Sequence, residues 1–248
     1  MSNARISRRA FSAGLVGGGG LLLSGCDSEN GLIRSAEGLN YKLHRALGGG
    51  HSLAREFSRA ERSPVFRMNG NTMPRSDAYA RHLGNQFADW RLRVDGLVQR
   101  PLELSLDDLS HMPSRTQITR HDCVEGWSAI AEWTGTPLGA ILHRAGLAPG
   151  ARFVAFHCAD DFDGAPYYES VDLTDAFHPQ TILAWGMNGA RLPVGHGAPL
   201  RLRVERQLGY KQAKYVMRVE VRSGLSGLYG GKGGLWEDTT GYEWYAGI

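Results

Sequence analysis

Residues 118–133 read ITRHDCVEGWSAIAEW. Polar and apolar residues alternate over positions 116–124, the period of a strand with one face buried. Cys123 stands at the end of that strand, where the backbone enters a loop and chemistry is commonly placed. It is one of three cysteines in the 248-residue chain. A cysteine kept for packing sits among aliphatic residues and is inert. Arg120, His121, Asp122 and Glu125 crowd this one, and Trp127 and Trp133 follow it. Arg120 and His121 are two candidate cations that would favour the thiolate, the form that attacks carbon or binds a soft metal. The competing reading is a buried, unreactive thiol at a strand end.

Outward from this stretch, residues 90–98 (WRLRVDGLV) alternate in the same way. Ser105 is an N-cap followed by acids in a first turn, so a short helix follows it. Thr136 and Pro137 open a helix as N-cap and first residue, and Gly146 closes it. Residues 152–158, 167–173, 200–205 and 215–222 read as further strands. Met187-Asn188-Gly189-Ala190 is a hairpin turn signal inside 182–192. The class is α+β, strand-rich mixed sheets with short helices. Leu39, Leu43 and Leu47 share one helical face, and Gly48-Gly49-Gly50 stops that helix. The Gly- and aromatic-rich residues 223–248 read as an arm packed on the body.

The N-terminus reads as a targeting segment. Ser7-Arg8-Arg9-Ala10-Phe11 is a twin-arginine pattern, and the apolar, Gly-rich run after it is too short for a membrane-spanning helix. Leu23-Ser24-Gly25-Cys26 resembles a lipobox, with Cys26 the lipidated first residue of the mature protein. Ordinary cleavage near Gly25 is the alternative. Twin-arginine export moves folded proteins, which raises the odds of a cofactor inserted before export. The formal charge is +3 from 28 basic and 25 acidic residues. Losing Arg5, Arg8 and Arg9 with the signal makes the mature chain neutral and removes any electrostatic case for nucleic acid. The chain divides into segments 1–25 (signal), 26–64 (tether or wrapping arm), 65–222 (catalytic domain) and 223–248 (arm).

Six motifs then occur in order. Phe66 and Asn69, with Asn71 and Pro74 as a second match, form an F-x-x-N…P element. Arg120, Cys123, Val124, Glu125, Trp127 and Ser128 form R-x-x-C-V-E-x-W-S. Residues 153–158 (FVAFHC) match V-A-F-x-T with Cys158 at the Thr position. Phe177-His178-Pro179 is close to M-H-P. Residues 192–201 (LPVGHGAPLR) match L-P-x-x-[NH]-G-x-P-x-R, and residues 209–214 (GYKQAK) match G-[FY]-K-x-x-K. The array resembles the sulfite oxidase family of molybdopterin enzymes, in particular the periplasmic branch that includes methionine-sulfoxide reductases.

The resemblance implies a sulfite-oxidase-type molybdopterin-binding domain and a molybdenum–molybdopterin cofactor, one pterin per molybdenum, with Cys123 as the protein ligand of the metal. It implies cofactor contacts from Asn69, Asn71, Cys158, His196 and Arg201, and from Gln212, Ala213 and Lys214 around the pterin phosphate. His121, Glu125, Trp127 and Tyr210 are the candidates for the pocket near the metal. The residue types suit these tasks. Arg201 can fork two hydrogen bonds onto a phosphate, Lys214 adds a point charge, and the N–H groups of 212–214 can form an anion-binding nest. His196 can donate to phosphate or pterin, and Gly195 and Gly197 would let the backbone approach closely. The plain alternative for Arg201, Arg203 and Arg206 is an exposed strand face with ordinary ion pairs.

The implied activity is two-electron oxygen-atom transfer on a small or protein-bound S- or N-oxide, or on sulfite. Glu125 beside the Cys argues against the sulfite dianion. The expected partners are the oxidised substrate and a separate electron carrier, a membrane heme protein or a soluble cytochrome, because no heme module or dimerisation domain fits in this length. The expected state is a monomer, exported to the periplasm and anchored to the inner membrane through Cys26.

Other chemistries stay open on the residues alone. Cys123 could be the nucleophile of a cell-wall acyl-transferase or peptidase, with His121, His178 or His196 as base. His157, Cys158, His178 and His196 could hold zinc. The two internal cysteines could pair as a disulfide. A non-catalytic ligand-binding lipoprotein would need none of this chemistry.

Overall fold

The structure, a computed structural model, describes residues 52–248, together with 38–39 and 41–43. The chain divides into two units, residues 1–46 and 47–248. In the first, residues 38–39 and 41–43 are helical and Leu39 and Leu43 are exposed. Leu47, the glycines 48–50, the signal segment 1–25 and Cys26 lie outside the described residues. The second unit holds all six motifs.

Its strands are β1 (Leu92–Gly96), β2 (Leu102–Leu104), β3 (Arg115–Cys123), β4 (Trp127–Pro137), β5 (Phe153–Phe162), β6 (Ala165–Asp172), β7 (Ile182–Met187), β8 (Ala190–Arg191), β9 (Arg201–Arg203) and β10 (Val216–Arg222). Its α-helices are α1 (Asp77–Gly84), α2 (Leu106–His111), α3 (Leu138–Ala145), α4 (Leu173–Ala176) and α5 (Leu235–Thr240). One sheet has the order β2-β1-β10-β5-β6, with β1 parallel to β10 and its other pairs antiparallel. The second has the order β3-β4-β7-β8, with β9 also antiparallel to β7.

Local chemistry explains the element ends. Ser105 Oγ accepts from Asp108 N at 3.0 Å while Asp108 Oδ2 accepts from Ser105 N at 2.9 Å, a reciprocal cap that starts α2. Pro137 stands at the N-cap of α3, one residue later than the sequence predicts, and Gly146 closes it at φ 69°. Asn188 (φ 52°) and Gly189 (φ 80°) make the two-residue turn between β7 and β8.

Two strand readings change. The period of β3 is as expected, but its buried face is Gln117, Thr119 and His121, all polar. Gln117 and His121 face the buried Arg203–Glu205 ion pair rather than an apolar core. β4 has no counterpart in the sequence reading, which places no strand between Val124 and the helix start at Thr136. Its inward residues include Ala129, Ala131 and Gly135, which carry little strand signal. Its existence is a tertiary effect, since β3 pairs along one edge and β7 along the other. Gly135 is required there, because a Cβ would strike the Leu183 carbonyl of β7.

The main core joins α3 (Leu138, Ile141, Leu142, Ala145) to Leu92, Val94, Val154, Phe156, Val219 and Val221 of the first sheet. A smaller cluster, Ala131, Trp133, Ile182, Ala184, Met187 and Leu192, packs with Phe66 on the second sheet. Residues 52–64 run along β3 and β4: Phe57 N donates to Ile118 O and Ser63 N to Ile130 O, both at 2.9 Å, and Arg59 pairs with Glu132 at 2.7 Å. In 223–248, Leu228, Leu235 and Ala246 are buried. Glu237 of α5 meets Lys211 Nζ at 2.5 Å, and Glu169 of β6 meets the same ammonium at 2.6 Å.

Candidate active site

The ends of both sheets converge on a cavity of about 210 Å³. The loop before α1 supplies Asn69, Gly70 and Asn71. The β3–β4 turn supplies Cys123, Val124 and Glu125, and β5 and β6 supply Asp160, Phe162 and Tyr167. The segment between β9 and β10 brings Tyr210, Gln212 and Lys214, and the C-terminal arm brings Trp236 and Tyr242. The turn after Cys123 is tight: Gly126 N donates to Cys123 O at 3.0 Å with φ 85°, a conformation suited to glycine.

Seven sequence-predicted residues therefore share the wall: Asn69, Asn71, Cys123, Glu125, Tyr210, Gln212 and Lys214. His121, Trp127, Cys158, His196, Arg201 and Ala213 do not line it. Cys158 sits on β5 against the main core, where burial pushes its thiol well up. Ala213 is buried in the same core, and its carbonyl accepts from Leu202 N at 2.8 Å. Trp127 donates its indole N–H to Glu125 at 2.9 Å, which places that carboxylate.

His121 is wholly buried behind the wall. Arg203 Nη1 lies 3.1 Å from its Nδ1. Because a guanidinium only donates, Nδ1 accepts and the ring is neutral with its proton on Nε2. Burial, then Arg201 and Arg203, hold the imidazole well below its ordinary range, opposed by the nearby Gln212 amide. Arg120 points away to Asp122, with Nε 2.9 Å from Oδ1. The two cations expected to activate Cys123 therefore do not do so: one is neutral and the other is spent on an exposed pair. Burial first, and then the Glu125 charge, raise the Cys123 thiol. A thiol held protonated is a poor nucleophile, whereas a metal deprotonates its cysteine ligand outright.

The basic cluster lies deeper. Arg203 has a full partner: its Nε and Nη2 bind Glu205 at 2.9 and 2.6 Å, and Gln117 donates to the same carboxylate at 2.8 Å. Arg201 is just as buried but has no carboxylate among the described residues. Its Nη1 and Nη2 reach the His196 carbonyl and Asn69 Oδ1, both at 3.2 Å, and its Nε has no partner. Burial, then Arg203, bring Arg201 down to about 9, so it stays charged at neutral pH. The exposed strand face that was the alternative reading is thus excluded. Lys214 binds the carbonyls of Asn69 (2.7 Å), Asn71 and Gly195 (3.2 Å) and acts as a strut. Burial, then Arg201, lower it to about 7. His196 Nδ1 and Gln212 Oε1 are also buried without hydrogen-bond partners. Gln212 N is taken by the Gly209 carbonyl at 3.1 Å, while the amides of Ala213 and Lys214 bind none of the described residues. Gly195 and Gly197 do allow close approach, but to the side chains of Met68 and Lys214.

An unpaired buried cation costs several kcal/mol, roughly, unless an anion meets it. A free guanidinium edge, an orphan imidazole nitrogen and two open amides make a donor set for a phosphate, beside a cavity bearing a soft sulfur donor. The residues fit a phosphorylated, metal-bearing enedithiolate.

The zinc reading fails on geometry. His157 is held by Glu220 at 2.9 Å, His178 lies 3.1 Å from the Ser52 carbonyl, and His196 packs edge-on to Phe66. Among the described residues no three His, Cys, Asp or Glu side chains converge on a metal position. Cys123 and Cys158 are both free. Sequence reasoning missed Asp160, Phe162, Tyr167, Trp236 and Tyr242. The aromatics of 223–248 were the available signal for the last two; Asp160 had none.

Known proteins are similar to this chain. Residues 80–227, more than half of the chain, match the model of the oxidoreductase molybdopterin-binding domain. An Azospira oryzae protein described as "Putative protein-methionine-sulfoxide reductase subunit YedZ1" is 42% identical over 160 residues, 64% of this chain and 56% of its own. The protein-methionine-sulfoxide reductase catalytic subunit MsrP of Xanthomonas axonopodis pv. citri is 38% identical over 145 residues, 54% of this chain and 45% of its own. The chain thus spans about half the length of these relatives. The crystal structure of the sulfane dehydrogenase SoxCD from Paracoccus pantotrophus superposes with a TM-score of 0.51 at 24% identity, over 61% of this chain and 41% of that one, a likeness of fold. The chain belongs to the oxidoreductase molybdopterin-binding domain family, and molybdenum–molybdopterin is its cofactor.

Proposed function

We propose that the protein is an exported molybdenum-dependent oxidoreductase that reduces S-oxides, with methionine sulfoxide, free or in a polypeptide, as the substrate class. One observation carries the reading: a buried guanidinium without a carboxylate among the described residues, Arg201, lies beside a cavity with the Cys123 thiol on its wall. When bound, the cofactor supplies a two-electron couple linked to oxygen-atom transfer. Cys123 would ligate the molybdenum as thiolate. Arg201, His196 and the amides of 213–214 would hold the phosphate, and Asn69 would keep Arg201 aimed.

The remaining wall suits a neutral sulfoxide. Phe162, Tyr210, Trp236 and Tyr242 present aromatic surface, on which thioether and sulfoxide groups pack well. Glu125 accepts from Gly70 N at 3.3 Å and from Trp127, which fixes a carboxylate on the wall. A dianion such as sulfite would meet that charge at close range. The names of the curated relatives support the same substrate class. Electrons would come from a separate membrane heme protein or soluble cytochrome. The twin-arginine pattern at Arg8 and Arg9 supports periplasmic export, and Cys26 would carry the lipid anchor.

The test uses protein made in a molybdenum-replete host. Mass spectrometry should find about one molybdenum per chain, lost in Cys123→Ala along with dye-coupled sulfoxide reduction. Metal-free wild-type protein from a host that makes the cofactor overturns the reading. A loaded enzyme that oxidises sulfite and ignores sulfoxides reverses the substrate assignment.

A further inference from the structure

Reducing a sulfoxide to a thioether and water consumes two electrons and two protons, so the cavity needs an acid. Its wall carries six candidates besides the thiol: Glu125, Asp160, Tyr167, Tyr210, Tyr242 and Lys214. Glu125 uses both carboxylate oxygens as acceptors, from Gly70 N and from Trp127 Nε1. Tyr167 donates its proton to the Tyr210 carbonyl at 2.6 Å, and Tyr210 donates to the Glu243 carbonyl at 2.5 Å. Lys214 has three donors and three carbonyls to receive them. Tyr242 is an exposed phenol, a far weaker acid by type than a carboxyl. Asp160 differs from all of these. It is 3% exposed, it lines the cavity, and its Oδ1 has no hydrogen-bond partner among the described residues.

We infer that Asp160 is the acid that protonates the departing oxygen, an inference that rests on the sulfoxide reduction proposed above. The bound cofactor would supply the two electrons, replenished by two equivalents of a one-electron donor such as a reduced dye. The S–O bond breaks, and the oxygen takes one proton from Asp160 and one from solvent to leave as water. The thioether departs, and solvent returns a proton to the Asp160 carboxylate.

The environment keeps that proton available. Burial pushes the Asp160 carboxyl up to about 6, against the opposing pull of Lys214 and the Asn71 amide, with Asp161 adding to the rise. Tyr79 from α1, Tyr167 from β6, Tyr215 from the segment before β10 and Cys158 from β5 are the other titratable groups that feel its charge. As a general acid Asp160 acts in its protonated form. Activity limited by it is therefore full well below pH 6, half-maximal at about pH 6, and falls about tenfold per pH unit above.

The experiment compares molybdenum-loaded wild type, Asp160→Asn and Asp160→Glu, with dye-coupled sulfoxide reduction followed from about pH 5 to about pH 8. Molybdenum content is measured on the same samples. The expected result is full molybdenum in Asp160→Asn, a kcat lower by about 100-fold, loss of the decline above pH 6, and partial recovery in Asp160→Glu. Full molybdenum with an unchanged rate and pH profile overturns the inference alone. Loss of molybdenum in Asp160→Asn also overturns it, because Asp160 would then be holding the cofactor. A loaded wild type that reduces no sulfoxide at any pH removes the reduction reading and the inference with it.

Discussion

Arg201 and Arg203 stand two apart on β9 and so share one face of the strand. Both are fully buried and both lie over the Trp133 ring, at 5.4 and 4.3 Å. Arg203 is neutralised in place by Glu205, and Arg201 is not. Removing the Arg201 charge should therefore separate stability from function. In cofactor-free protein, Arg201→Met should be at least as stable as wild type by urea midpoint, with a gain of about 1 kcal/mol. The same variant purified from a replete host should hold at least about tenfold less molybdenum. A variant that loses stability without losing metal would show that the guanidinium serves packing. Arg201 was legible in the sequence through its motif; its isolation was not, because the partner of a buried charge is chosen by tertiary structure. The activation of Cys123 by Arg120 and His121 was misjudged for the same reason. Adjacency in sequence says nothing of burial, and burial neutralises the one while the other turns outward.

The segment between β9 and β10 contains a 3-10 turn over Gly209–Lys211, which sets Tyr210 and Gln212 on the cavity wall. A Cβ on Gly209 would stand 2.6 Å from His121 Cε1 and Nε2. The imidazole is fixed in turn by Arg203, so little can yield. Gly209→Ala should cost about 1–3 kcal/mol in urea unfolding and reduce molybdenum retention. His121→Ala in the same chain should recover most of that loss. Additive single effects would mean that the turn and the imidazole are not coupled. Strands with alternating patterns, the Asn-Gly hairpin and the helix closed by Gly146 could be read directly, since local chemistry decides them. β4 could not, because alanine and glycine on its inner face record only the closeness of neighbouring strands.

At the scale of the molecule, the C-terminal arm is structural as well as functional. It buries Leu228 and Leu235 in the main core, and Glu237 shares Lys211 with Glu169. A chain ending at Arg222 should lose about 3–6 kcal/mol from the two leucines alone, or some 10–20 °C in melting temperature for a domain of this size. Circular dichroism melts of the two chains measure it. Melting within a few degrees of wild type would mean that the arm only rests on the surface. Composition hinted at this arm, because glycines alternating with tryptophan and tyrosine suggest packing, but nothing local assigned it to the cavity.

Cavity residues run from Asn69 to Tyr242, with the β3–β4 turn, both strands of the β5–β6 hairpin near its turn, and the 209–214 segment between them. Such a site is completed late in synthesis. While residues beyond 222 remain within the ribosome, the wall that holds Trp236 and Tyr242 does not exist and Lys211 has half its counter-charge. The finished cavity is thereby ordered after translation of the arm, while the residues that would hold the cofactor's phosphate, His196, Arg201 and 213–214, emerge before it.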